Sequence, residues 1–194
     1  PAPPRSGATA LVANLAQAAA RADSRVLVLD ANLRRPAVHK LFDLAPSPGL
    51  ADLLADQVSV DEAICRTDNP SLDVMTVGSA EHRVFERIAT EPMSALLTQL
   101  ESRYDMVIID VAPAIVSGDA FGLANRVGAT MLVVRALSEK RGLVARLKTE
   151  LTDARGEFLG VVVNAVRASA GGYFKRNMRT AHAYQNRKSA ASEA

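Results

Sequence analysis

The chain has 194 residues, 48% of them hydrophobic, 23% charged and 4% aromatic, with a formal net charge of +2. That length suits one packed domain and is short for two of ordinary size, while the composition excludes a disordered chain, a collagen-like repeat and a disulfide scaffold, since Cys65 is the single cysteine. No apolar run reaches the roughly 18 residues that span a bilayer and no basic-then-apolar leader is visible, so a soluble chain in a reducing compartment is expected. The charge is unevenly placed: residues 167–194 carry +5 and residues 1–166 carry −3. The basic segment is expected either to lie solvated or to meet an anionic surface, with no sequence-specific nucleic acid as partner.

Taken in chain order, residues 7–21 read as a helix, 26–29 as a strand, 50–56 and 59–65 as helices, and 74–77 as a strand. Residues 91–103 read as a helix, 106–109 as a strand, 119–126 as a helix, 131–134 as a strand, 140–154 as a helix and 159–163 as a strand. Ser59 with Glu62 fits a capping box, and Thr90 stands where it can cap the helix that follows. Strands that are apolar throughout and alternate with helices imply an α/β fold of three layers, with a mostly parallel sheet covered on both faces. Residues 1–166 are expected to form that domain and 167–194 a basic tail containing Tyr173 and Tyr184.

Ligands of such sheets sit beyond the carboxyl ends of the strands. The residues there are Asp30, Gly78, Asp110, Arg135 and Asn164. The proline-rich stretch 1–7 runs straight into a helix, whereas a loop of this kind ordinarily leaves a central strand, so the sequence is expected to begin inside the fold. His39, His82 and His182 read as structural or exposed, Cys65 as a small buried hydrophobe on a helix face, and no His or Cys pair has zinc spacing.

The segment Val26-Leu-Val-Leu-Asp30-Ala-Asn32-Leu-Arg34-Arg35-Pro36, followed by His39-Lys40-Leu41-Phe42, is the most specific in the chain. With Met106-Val-Ile-Ile-Asp110 and the later Leu159-Gly-Val-Val-Val-Asn164, it resembles the cytoplasmic tyrosine-kinase domains of bacterial polysaccharide co-polymerases, relatives of the MinD and ParA type of P-loop ATPases. The resemblance implies a P-loop NTPase-like fold and a Mg-ATP site that transfers phosphate to tyrosines of a C-terminal tail, here Tyr173 and Tyr184. It also implies a setting at the cytoplasmic face of the inner membrane, with a polysaccharide co-polymerase, an export protein or a second copy as partner. Under it, Asp30 and Asp110 are the catalytic carboxylates, Thr9 and Asp110 the magnesium ligands, Arg34 part of a basic pair with Arg35, and Asn164 the amide that faces adenine.

Departures from the pattern bear on activity. A working phosphate loop needs glycines and a Lys that reaches the β and γ groups, but here Gly7 and Thr9 flank Ala8 in the lysine's place, and Arg5 stands where a glycine is usual. Asn32 replaces the second Asp of its motif. Phosphoryl transfer depends on positioning and charge stabilisation, so the expectation is a pseudokinase with no or weak Mg-ATP or Mg-ADP binding. An active tyrosine kinase using another cation, and a MinD- or ParA-like positioning ATPase, are the alternatives.

Overall fold

The computed structural model describes residues 6–79, 87–116 and 118–166. Tyr173, Tyr184, the expected tail, His82, His182 and Arg5 lie outside them. Helix α1 (Ala8–Ala20) leads to strand β1 (Val26–Ala31), a short helix α2 (Val38–Leu41), α3 (Leu50–Leu54), α4 (Val60–Ala63), β2 (Ile64–Arg66) and β3 (Leu72–Met75). A 3-10 turn at Arg87–Ala89 precedes α5 (Glu91–Glu101), β4 (Met106–Val111), α6 (Asp119–Ala124), β5 (Ala129–Arg135), α7 (Arg141–Thr152) and β6 (Glu157–Asn164).

β1 explains the three layers. All of its residues are buried. Val26 and Val28 pack with Ala16 and Ala20 of α1 and with Val38 of α2, while Leu27 and Leu29 pack with Leu50, Met93 and Leu100 on the opposite face. A strand covered on both sides has no polar alternation to show. Alanines on the inner face of α1, at positions 13, 16 and 20, keep good helix propensity and let the helix lie close to the sheet.

The strand order β2-β3-β1-β4 forms one sheet, parallel except for β2, which pairs antiparallel with β3 at the edge. β5 and β6 form a second, parallel pair. The expected sheet is therefore in two pieces, with no hydrogen bonding between β4 and β5 among the described residues. A cavity of about 350 Å³ lies between them, lined by Val107 and Ile109 of β4, Ala129 of β5, and Leu97 and Val127. Among the described residues no helix is long and apolar enough to cross a membrane.

Several boundaries differ from expectation for local reasons. The helix expected at 59–65 starts with the Ser59–Glu62 capping box but ends at Ala63, because Ile64 and Cys65 pair with Met75 and Val74 as an edge strand. Cys65 is thus half-buried on a strand, and burial pushes its thiol pKa up. The strand expected at 74–77 ends at Met75, since the carbonyls of Thr76 and Val77 accept from Leu50 and Ala51 at the start of α3, each at 2.8 Å. Thr90 occupies the cap position of α5, yet its hydroxyl donates backwards to the Arg87 carbonyl at 2.7 Å. Helix α2 has no strong sequence signal; Val38 is drawn in by burial against β1.

Asp52, 5% exposed, ties this region together. Its carboxylate accepts from the Gly49 amide at 2.9 Å, the Ser47 hydroxyl at 3.1 Å and the Ser79 amide at 3.1 Å. Asp52→Ala is expected to cost about 2–4 kcal/mol in urea unfolding, because buried donors lose their acceptor. Asp61→Ala, which removes an exposed ion pair with Arg103, should cost under about 1 kcal/mol.

Candidate functional site

The parallel register of β1 and β4 makes Asp30 and Asp110 partners on adjacent strands. They are 0% and 2% exposed, and their surroundings give them different work. Asp30 Oδ1 accepts from the Asn32 amide at 3.0 Å, and its Oδ2 accepts from the Ala37 and Val38 amides at 3.2 and 3.1 Å. The carboxylate is the hub of the turn between β1 and α2, and Asn32 tightens the same turn by accepting the Arg35 amide at 3.2 Å. Arg34 and Arg35 stand exposed on this turn. Burial raises the Asp30 pKa, opposed by the three amide bonds and by the nearby His39.

The Thr9 hydroxyl donates to Asp110 Oδ2 at 2.7 Å. Burial pushes its carboxyl up to about 6, the Thr9 bond works against this, and the charge of Asp30 adds to it. Thr9 sits in the first turn of α1, whose N-cap is Gly7 with φ +82°. That left-handed conformation suits glycine and strains other L-residues. Ala8 opens the helix between them, an apolar methyl at the position where a phosphate loop carries its cation. From the other sheet, Asn164 Nδ2 donates to the Ser6 carbonyl at 2.8 Å.

The structure therefore brings Gly7, Ala8, Thr9, Asp110 and Asn164 to one place, with Asp30 beside Asp110 and Asn32 and Arg34 on the turn that Asp30 holds. Asp30 is bonded to three backbone amides of the turn that follows β1, and the Asn164 amide is bonded to the loop that opens α1. Asp52 and its bonds from the Gly49 and Ser79 amides were missed; the Gly49-x-x-Asp52 spacing, a capping-box variant, was the available signal. No group of three or more His, Cys, Asp or Glu that could hold a metal occurs among the described residues. The hard-oxygen pair Thr9 and Asp110 remains, and magnesium commonly takes one or two protein ligands and fills its shell with water and phosphate.

A parallel sheet with a glycine-led loop opening a helix beside a strand-end carboxylate defines the P-loop NTPase class. Within that class, residues 6–132 match the family model described as AAA domain. The chain is 33% identical over 170 residues to the tyrosine-protein kinase ptk of Acinetobacter johnsonii, a match covering 88% of this chain and 23% of that protein. It is 31% identical over 166 residues to the tyrosine-protein kinase YwqD of Bacillus subtilis, covering 86% of this chain and 70% of the relative. The kinase domain of Escherichia coli tyrosine kinase ETK superposes with a TM-score of 0.81 at 30% identity, over 87% of this chain and 66% of that one. The chain belongs to the bacterial tyrosine-protein kinase family.

A folded-state pKa near 6 for Asp110 against 3.8 in the unfolded chain means that the folded protein binds a proton the unfolded chain releases. Stability should fall as pH rises from about 4 to about 6 and stay lower above that. Asp110→Asn should consequently raise the melting temperature at pH 7.5, by about 1–3 kcal/mol of stability, and leave it nearly unchanged at pH 4. A variant equally destabilised at both values would refute the assignment of buried charge.

Proposed function

We propose that this domain is a tyrosine-kinase-like module of exopolysaccharide or capsule export that no longer transfers phosphate efficiently and acts through assembly or regulation. The observation that supports this reading most is Ala8 at the head of α1, between Gly7 and Thr9. Phosphoryl transfer needs charge placed against the β and γ phosphates, and a methyl group supplies none. Asn32 removes a second charge from the β1 turn, where its side chain serves backbone hydrogen bonding.

Magnesium, if taken up, would be held by Thr9 Oγ1 and the Asp110 carboxylate, and it would supply charge neutralisation to bound phosphates. Asp110 would first have to give up its proton near pH 6, and Thr9 would turn its hydroxyl oxygen from Asp110 toward the ion. Partners suited to such a module are a membrane polysaccharide co-polymerase, an export protein or a second copy of the chain, with the basic tail toward an anionic surface. The setting would be the cytoplasmic face of the inner membrane. The second reading, an active tyrosine kinase in which Arg5 substitutes for the lysine, draws support from the retained Thr9–Asp110 pair.

Incubation with Mg-ATP should leave the intact mass unchanged. A gain of phosphate on Tyr173 or Tyr184 that Asp110→Asn abolishes would establish the active-kinase reading instead. Loss of one charge-assisted contact, worth roughly 1.5–3 kcal/mol, should weaken Mg-ATP binding by about ten- to 150-fold relative to an intact loop. Calorimetry should accordingly show weak or no binding, with affinity gained by the Ala8→Lys, Arg5→Gly double variant. Sub-micromolar binding by the unaltered protein would overturn the proposal.

A further inference from the structure

We propose that the groove between α7 and β6 is a docking surface for an acidic segment of another protein that carries apolar side chains among its carboxylates. The groove arises from how α7 covers its sheet. Leu132 and Val134 of β5, each 9% exposed, pack with Leu147 and Leu151 of α7. Their register partners on β6 are Val161 and Val163. Paired positions of neighbouring strands put their side chains on one face, yet these two valines are 37% and 54% exposed. The helix therefore lies over β5 and leaves the β6 half of the same face bare. What results is an open groove of about 550 Å³, lined by Val134 and Val163 of the sheet and by Val144 of the helix. None of its residues belongs to β1, to β4 or to the loop that opens α1, so nucleotide binding plays no part in it.

Around that apolar floor the groove is basic: Arg135, Arg141 and Lys148 line it, with Glu139 as the acid among its lining residues. Lys140 holds the cap position of α7 and Arg141 opens it, with no acidic residue in the first turn and no basic one in the last. Cations at a helix start oppose the macrodipole, so helix stability does not account for their place. At the mouth stands Leu137, 89% exposed and left-handed at φ +60°. A bulky residue in that region is strained, and among the described residues nothing covers the side chain in return. Residues 167–194 are repelled as an occupant, since they carry +5 with Glu193 as their one acid. A flat anionic membrane would meet the cations without filling the valine floor. Arg141 and Lys148 stand about 10 Å apart along the helix. A segment with carboxylates at that spacing and apolar side chains between them satisfies both floor and rim.

The test selects binders from a random displayed peptide library on the full 194-residue protein. Enriched peptides are expected to combine Asp or Glu with Leu, Ile or Phe. They should bind about tenfold more weakly to the Arg141→Glu, Lys148→Glu double variant, and more weakly to the unaltered protein as salt is raised. That variant should keep the parent's melting temperature, since both side chains lie exposed. Leu137→Gly should raise stability by relieving the backbone and yet weaken the peptides about fivefold, opposite signs that a merely structural role would not give. Peptide addition should shift the amide resonances of Leu137, Val144 and Val163 and leave those of β1 in place. Failure to enrich any peptide, enrichment of basic or purely apolar ones, or binding indifferent to the double variant would overturn the proposal. Another occupant would overturn it as well. Amide shifts within residues 167–194 on making the double variant would point to the chain's own tail, self-association that the variant abolishes to a second copy, and binding to phosphatidylserine vesicles that it abolishes to a membrane.

Discussion

The burial of β1 on both faces is the constraint on which the rest depends. Each of Leu27 and Leu29 contributes about 1.5–3 kcal/mol by leaving water, and the two clusters they and the neighbouring valines join account for most of the core around the four-stranded sheet. Such a strand cannot slip by one residue without exchanging the residues that face α1 for those that face α3 and α5. Its end is therefore fixed, and Asp30 is delivered to the carboxyl edge beside Asp110 wherever β4 pairs in register. Placing two carboxylates in so dry a position would be prohibitive if both were charged and unpartnered.

The molecule resolves that conflict by dividing the labour. Three backbone amides converge on Asp30 and stabilise its charge while shaping the turn that carries Arg34 and Arg35. Asp110 has the Thr9 hydroxyl and a raised pKa. A buried carboxylate whose pKa is raised has much to gain from a cation. The phosphate-facing loop carries Ala8 where its class carries a lysine. Asp30 and Asp110 stand at the strand ends, while Ala8 and Asn32 stand where the family pattern carries a lysine and a second Asp.

Much of this was legible in the sequence. Continuous apolar strands, the alternation with helices and the Asp-x-Asn-x-Arg-Arg-Pro segment define the α/β class and the residues at the strand ends, because burial on both faces and strand-end chemistry leave local signatures. The degenerate loop is legible too, since Ala8 is a matter of residue type alone. What the sequence could not decide was which partner each polar group takes. Nothing local says that Asp30 spends Oδ2 on amides seven and eight residues ahead, that Asp52 gathers Ser47, Gly49 and Ser79, or that Ile64 and Cys65 leave a helix to pair with β3. The bond from Asn164 to Ser6 joins residues 158 positions apart. Side-chain type and periodicity are properties of neighbours along the chain, and they set the class, the core strands and the candidate residues. Hydrogen-bond partners at a strand end depend on which backbone groups the packed fold brings near, so the partners of Asp30 and Asn164 are decided by the folded structure.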